Sequence, residues 1–330
     1  MSWSPTNRHR SPPGEETDLY APQMKPTIRV GGYAPRDSSH SAAVAHLVEH
    51  LETSLGDSVE TDVMWNVLDE GRPAPDLLDM VGSGELTLCY FSSSYLGNRV
   101  PELNVLEVPF LFDTLDEAHS ALDGELGRHL SEATAAVTPF TVLGYWDNGF
   151  RHFTNRLRPV RRPEDCAGMR VRLQPNHIHE KMVEAWGAIP FAVELSEGIA
   201  MIKSGEVDAQ ENPLANTVAY GVDEVHDHYT MTGHLYGARG LYAHRPTVEE
   251  WPNDIVEAVN AAVGSAIAFQ REAAAAKELD LRRRLEANGA QFVDLTPDEK
   301  ESFRLATEDV IAAAGAEVGI DLVRLATSRA

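Results

Sequence analysis

The sequence is poor in cysteine, poor in basic residues relative to acidic ones, and without a long apolar run. Its 330 residues contain two cysteines, Cys89 and Cys166. Neither has a His or Cys at metal-ligand spacing, so neither a disulfide framework nor a zinc site is indicated and two buried thiols are expected. Lys and Arg number 28 against 51 Asp and Glu, a formal charge of −23. That field repels phosphate backbones and anionic lipid, so nucleic acid is not an expected partner. No stretch approaches the roughly 18 uninterrupted apolar residues that a membrane-spanning helix needs. Residues 1–26 mix Pro, Ser, Arg and Glu around no apolar stretch of the length a secretory leader carries, and read as a disordered tail. On that reading the chain is cytoplasmic, or has lost an export segment.

What is present is the composition of a packed protein, 43% hydrophobic and 24% charged. The length favours two domains. Order is expected from Thr27 to Val30, a β-branched strand closed by Gly31-Gly32, followed by a helix over Ser38–Leu55 with Ala43, Leu47, Leu51 and Leu55 at helical spacing. Strands are expected at 59–67, 86–90, 141–146, 169–173 and 191–193, with helices at 76–81 and 176–186 between them. Alternating strands and helices predict a mostly parallel α/β sheet. The segments Asp79–Leu86 and Ala200–Val207 share Met, Ser, Gly and Glu in register, which hints at two related halves. The alanine-rich last third predicts a long helix over 254–287, able to bridge both halves, and further helix over 297–326.

The residues with most chemistry lie between Gly149 and Arg172. Arg170 and Arg172 flank Val171 on a strand and so share a face. A planar guanidinium offers two parallel donors to a carboxylate, so an arginine on such a strand either forms an internal salt bridge or holds an organic acid. Val108-Pro109-Phe110-Leu111-Phe112, Gly149-Phe150-Arg151, Gly168-Met169-Arg170-Val171-Arg172 and the run from Gly205 to Leu214 occur in this order. With these four motifs the chain, from residue 27 to 326, resembles the solute-binding proteins of TRAP transporters, the DctP-like receptors for small organic acids.

The resemblance implies two α/β lobes of the periplasmic-binding-protein type joined by a hinge, closing like a flytrap on a ligand between them, with long C-terminal helices. It places lobe I at 27–148 plus 238–278 and lobe II at 149–237 plus 279–330. It implies a salt bridge from Arg172 to the ligand carboxylate, help from Arg151, and an amide donor on Asn212. Loops after strand ends add His40, Ser39, Glu70, Ser93, Tyr95 and Tyr236 as further candidate contacts, with Arg36, Asp69 and Ser92 beside them. The implied partners are a small organic acid and the TRAP membrane subunits. The protein is expected to be a monomer without cofactor or metal, and periplasmic by resemblance.

Two departures stand against the family pattern. His177 and His179 follow the arginine strand near the expected pocket rim, and His226 and His228 flank Asp227, which supplies two metal ligands at most. The absent export signal also leaves open an enzyme on the same fold, a lyase, isomerase or cyclase, with His40, His152, His177 or His179 moving protons. A ligand-sensing subunit of a membrane signalling partner would use the same pocket.

Overall fold

A computed structural model describes residues 25–327; residues 1–24, most of the expected tail, lie outside the described residues. Among the described residues nine strands form one mixed sheet: β1 (Thr27–Gly31), β2 (Glu60–Met64), β3 (Leu88–Ser92), β4 (Phe140–Asn155), β5 (Arg170–Leu173), β6 (Ile189–Ala192), β7 (Ala209–Asn212), β8 (His228–His244) and β9 (Gln291–Asp294). Their spatial order is β2-β1-β3-β8-β4-β7-β5-β6, with β9 added to β8. Pairs at the two ends of this order are parallel, as expected from the βα alternation. The middle is not: β8 runs antiparallel to both β3 and β4, and β4 antiparallel to β7.

The long strands β4 and β8, with 16 and 17 residues, correct the expectation of a short strand at 141–146 and none near 236. Their glycines and polar residues mask the usual strand pattern, and their pairing is interrupted by three register shifts, one of them between Asp147 and Gly149. Gly149 has φ 94°, a left-handed conformation that a residue with a Cβ adopts only with strain. The expected strand over 59–67 is also shorter, because Asn66 caps a 3-10 turn over Val67–Glu70. The C-terminal helix expected over 297–326 is three helices, Pro297–Ala306, Glu308–Val318 and Ile320–Thr327. Thr296 and Glu299 start the first of these with reciprocal capping bonds.

Two principal hydrophobic cores lie under this sheet. The first gathers Ile28, Val30, Leu47, Leu77, Tyr90, Phe140, Trp146, Leu241 and Val259, and the second Phe153, Val171, Leu173, Trp186, Leu235 and Phe303. Along β4 the change of core falls between Trp146 and Phe153, and along β8 between Leu235 and Tyr236. A third crossing runs through the Val108–Phe112 motif, where Phe110 (φ 56°) inserts into the second core while Phe112 stays in the first. The long helix Asn253–Ala287 packs Val259 and Ala266 on the first core, and its Leu285 joins Leu214 and Tyr229 on the other side of the crossing. It bridges the two halves, as its length predicted. Cys89 and Cys166 are both buried and free.

Asp147 ties the crossing together. Its N–H donates to Gln270 Oε1 (2.8 Å), and its carbonyl accepts from Gln270 Nε2 and from His40 Nε2, both at 2.9 Å. Its carboxylate accepts from the Tyr236 hydroxyl and from His119 Nε2 at 2.8 Å.

Candidate functional site

Where the two halves meet, Tyr33, Phe91, Ser92, Tyr95, Asn148, Arg151, Arg172, Gln174, Asn212, Asn216, Tyr220 and Arg239 line one pocket. Its three cations arrive on three strands, Arg151 from β4, Arg172 from β5 and Arg239 from β8. Among the described residues no carboxylate lines it. The free room is about 30 Å³, enough for a water or two but not for an organic acid, so entry requires the halves or their side chains to part.

Arg151 is answered from within the protein. Its Nε and Nη2 make a two-pronged pair with the Glu211 carboxylate, and Nη2 also donates to the Glu211 carbonyl at 2.8 Å. Burial opposes both charges, yet the pairing outweighs it: Arg151 is pushed up, and Glu211 is held well below the usual carboxylate range by Arg151 and by His234. Arg172 is different. It is 3% exposed, its Nη2 donates to the Val193 carbonyl at 3.0 Å, and its Nε has no hydrogen-bond partner among the described residues. Burial, with the Arg151 charge adding to it, pulls Arg172 below its ordinary value, and it still remains charged at neutral pH. Gly198 makes room for it, since a Cβ there would stand 2.3 Å from Arg172 Nε. Arg170, two residues earlier, turns instead to Asp208 (2.7 Å).

The amides form a linked set. Asn216 Nδ2 donates to Asn212 Oδ1 and to Asn148 Oδ1, both at 3.0 Å. The Asn212 amide has only a 3.5 Å contact with Gln210 Oε1, too long to hold it, so it is available to a ligand. Asn216 Oδ1 accepts from Arg239 Nη2 at 3.3 Å. Burial raises the phenols of Tyr33 and Tyr95, the latter to about 12, so both are neutral donors across the physiological range.

The structure therefore brings together five of the sequence-derived candidates, Arg172, Arg151, Asn212, Tyr95 and Ser92. Ser39 and His40 do not line this pocket; they border other hollows, and the His40 ring donates to Asp147. Ser93 donates to the Ala238 carbonyl and Tyr236 to Asp147, both as internal ties. Glu70, like Asp69, is exposed on the 3-10 turn after β2, and Arg36 stacks on Trp65. His177 pairs with Glu317 at the surface, and His179 is fully buried against Glu107 at 2.7 Å, so neither reaches the pocket. Sequence reasoning passed over Arg239, Asn148 and Asn216. The signal for Arg239 was there: it is the one charge in the nine-residue run Leu235–Ala243.

The family model for bacterial extracellular solute-binding proteins, family 7, matches residues 30–317. The chain belongs to that family. A solute-binding protein of Verminephrobacter eiseniae is 31% identical over 211 residues, 64% of this chain and 62% of the relative, so the chain spans less than two thirds of that relative's length. Among solved structures, the sugar acid binding protein of Advenella mimigardefordensis in complex with galactonate superposes with a TM-score of 0.86 at 26% identity, covering 92% of this chain and 97% of that one. A TRAP periplasmic solute-binding protein of Sulfurospirillum deleyianum with bound succinate gives 0.84 at 26% identity, over 92% and 99%. The mixed α/β architecture is thus the two-lobed one of TRAP solute-binding proteins.

Proposed function

We propose that this chain is the solute receptor of a TRAP-type transporter, acting outside the cytoplasmic membrane and delivering a small organic acid to the membrane subunits. Lobe I comprises 27–148 plus 238–278 and lobe II 149–237 plus 279–330, the last helix returning to the core of lobe I through Leu322 and Ala326. The acid binds between the lobes, its carboxylate on Arg172, with the Asn212 amide and Arg151 completing the contacts. The observation that carries this reading is the Arg172 guanidinium, buried with no carboxylate partner among the described residues, in a pocket with no acidic lining. A buried cation without a counter-charge costs several kcal/mol, and a carboxylate ligand supplies what the fold withholds. Closing the lobes removes water and strengthens that bond. The relatives solved with galactonate and succinate fit the same chemical class.

The receptor reading is favoured over an enzymatic one because, among the described residues, none of His40, His152, His177 and His179 lines the arginine pocket. The test is to incubate the full chain with mono- and dicarboxylates and to weigh what is retained and later released on denaturation. One equivalent of unchanged acid is the expected result; product accumulating beyond one equivalent overturns it. Arg172→Ala is expected to lose that binding while keeping the wild-type circular dichroism spectrum.

A further inference from the structure

Arg151 faces the arginine pocket, while its neighbours Phe150 and His152 line a separate hollow of about 380 Å³. The apolar walls of that hollow are Leu115, Phe150, Leu214, Met231, Ala274 and Leu279. Leu115 and Phe150 pack against the first core, whereas Leu214 and Met231 pack with Tyr229 and Leu285, so a guest touches both halves of the molecule. The cations of its lining are already spent, Arg282 on Asp294 and Lys300 on Asp113. The imidazole of His152 is not. It is 8% exposed, and its Nδ1 accepts from the Gly233 N–H at 3.1 Å. Burial lowers the ring to about 3, so it is neutral near pH 7, and with Nδ1 accepting, its one proton sits on Nε2. That Nε2–H has no hydrogen-bond acceptor among the described residues; Glu278 Oε1 faces it from 3.9 Å.

A separation of 3.9 Å is too long for a direct hydrogen bond, and it leaves room for one bridging oxygen that accepts from His152 and donates to Glu278. A hydroxyl does both at a single atom, whereas an ether oxygen only accepts and an ammonium only donates. With both cations of the lining paired and burial raising the Glu278 carboxyl to about 7, the hollow suits an uncharged guest. Apolar walls with a few converging polar groups are the common form of a small-molecule site. The geometry points to a second ligand site in this hollow, one that takes a small neutral alcohol whose apolar body packs on the walls and whose hydroxyl bridges His152 Nε2 and Glu278. The site is separate from the arginine pocket and does not rest on the acid-receptor reading.

The experiment is an NMR titration of the full chain carrying isotope-labelled methionine methyl groups, with Met231→Leu identifying the Met231 signal on the wall of the hollow. The probes are benzyl alcohol, phenethyl alcohol and cyclohexylmethanol, each beside its own methyl ether, which accepts a hydrogen bond but cannot donate one. At least one alcohol is expected to shift the Met231 methyl saturably and to bind roughly tenfold tighter than its ether, the cost of one lost hydrogen bond in a buried setting. His152→Phe is expected to bind alcohol and ether alike. Arg172→Met is expected to bind the alcohol as the wild type does, because the arginine pocket is not involved. A Met231 signal that none of the alcohols moves overturns the site, and so does equal affinity for alcohol and ether in the wild type. A preference that survives in a folded His152→Phe protein also overturns it, as does loss of alcohol binding in Arg172→Met. The wild-type comparison needs no substitution at the site, so a misfolded His152→Phe protein does not rescue the idea. Failure here leaves the acid-receptor function standing, since no acid enters the titration.

Discussion

Two hollows border the same hinge strands and differ in how their charges are answered. The arginine pocket takes Arg151 from β4, while Phe150 and His152, its neighbours in the alternating strand, line a second hollow beneath the long helix. The second hollow is far roomier, about 380 Å³, with Leu214, Met231, Ala274 and Leu279 on its walls. Its cations are paired internally, Arg282 with Asp294 at 2.6 Å and Lys300 with Asp113 at 3.2 Å. Another hollow of about 480 Å³, beside Val108–Asp113, sets Arg304 among Asp113, Asp116 and Glu117, the wrong sign for an acid. Volume would choose either of these; charge chooses the small pocket, where Arg172 and Arg239 have no carboxylate partner among the described residues. A binding site is marked here by what the fold leaves uncompensated.

That contrast breaks first at Glu211. Glu211→Gln removes the counter-charge of Arg151 in a fully buried setting, and a urea titration should show a loss of about 3–5 kcal/mol in unfolding free energy. A loss under about 1 kcal/mol would mean that Arg151 is not held by its partner and belongs with the ligand-facing arginines.

Arg172→Met should behave in the opposite sense. Acid binding should fall by roughly a hundredfold or more, while the same titration shows stability unchanged or raised, because a buried charge without a partner has been removed. A clear destabilisation would mean that Arg172 is structural. Gly198→Ala tests the space rather than the charge: a methyl group 2.3 Å from Arg172 Nε displaces the guanidinium. Acid affinity is expected to drop roughly tenfold, the cost of losing an aligned charged hydrogen bond, with little change in melting temperature.

The smallest effect is expected in the hinge hollow. Burial raises the Glu278 carboxyl to about 7 against an ordinary 4.5, with a bond from the Ala215 N–H opposing the rise. His152, 3.9 Å away, is itself lowered to about 3 by burial and is neutral near pH 7, so it offers Glu278 no charge. A raised folded-state value means that the folded protein binds this proton more tightly than the unfolded chain. Its contribution is therefore present in full below about pH 4.5 and is lost as pH rises through about 7. Unfolding free energy measured from pH 5 to 8 should fall less steeply in Glu278→Gln than in wild type; identical slopes would place the carboxyl in solvent.

Legibility in the sequence followed the range of the interactions. Strand β5 and its Arg172 were readable because an arginine among Val171 and Leu173 conflicts with burial, and the motifs around Gly149 and Asn212 placed Arg151 and the amide nearby. The helix over Ser39–Leu55 was readable from its apolar spacing; Ser38 caps it, accepting from the Ser41 N–H. Tyr236 and His40 were misplaced because a loop position predicts exposure to a cleft, while both spend their polar atoms on Asp147, more than eighty residues away in the chain. The antiparallel centre of the sheet escaped for a similar reason. Glycine at 144, 149, 233, 237 and 240 dilutes the hydrophobic alternation of β4 and β8, and only their mutual pairing makes them strands.

The sequence by itself determined the family, the α/β class, the long bridging helix and the arginine strand, since these rest on local spacing and on contiguous motifs. The tertiary structure alone decided which arginines are free. Whether a guanidinium recognises a ligand depends on whether a carboxylate from another strand reaches it first, and that is settled by register: β4 paired with β7 sets Arg151 beside Glu211, while β5 and β8 bring Arg172 and Arg239 to the same pocket with no carboxylate bonded to them among the described residues.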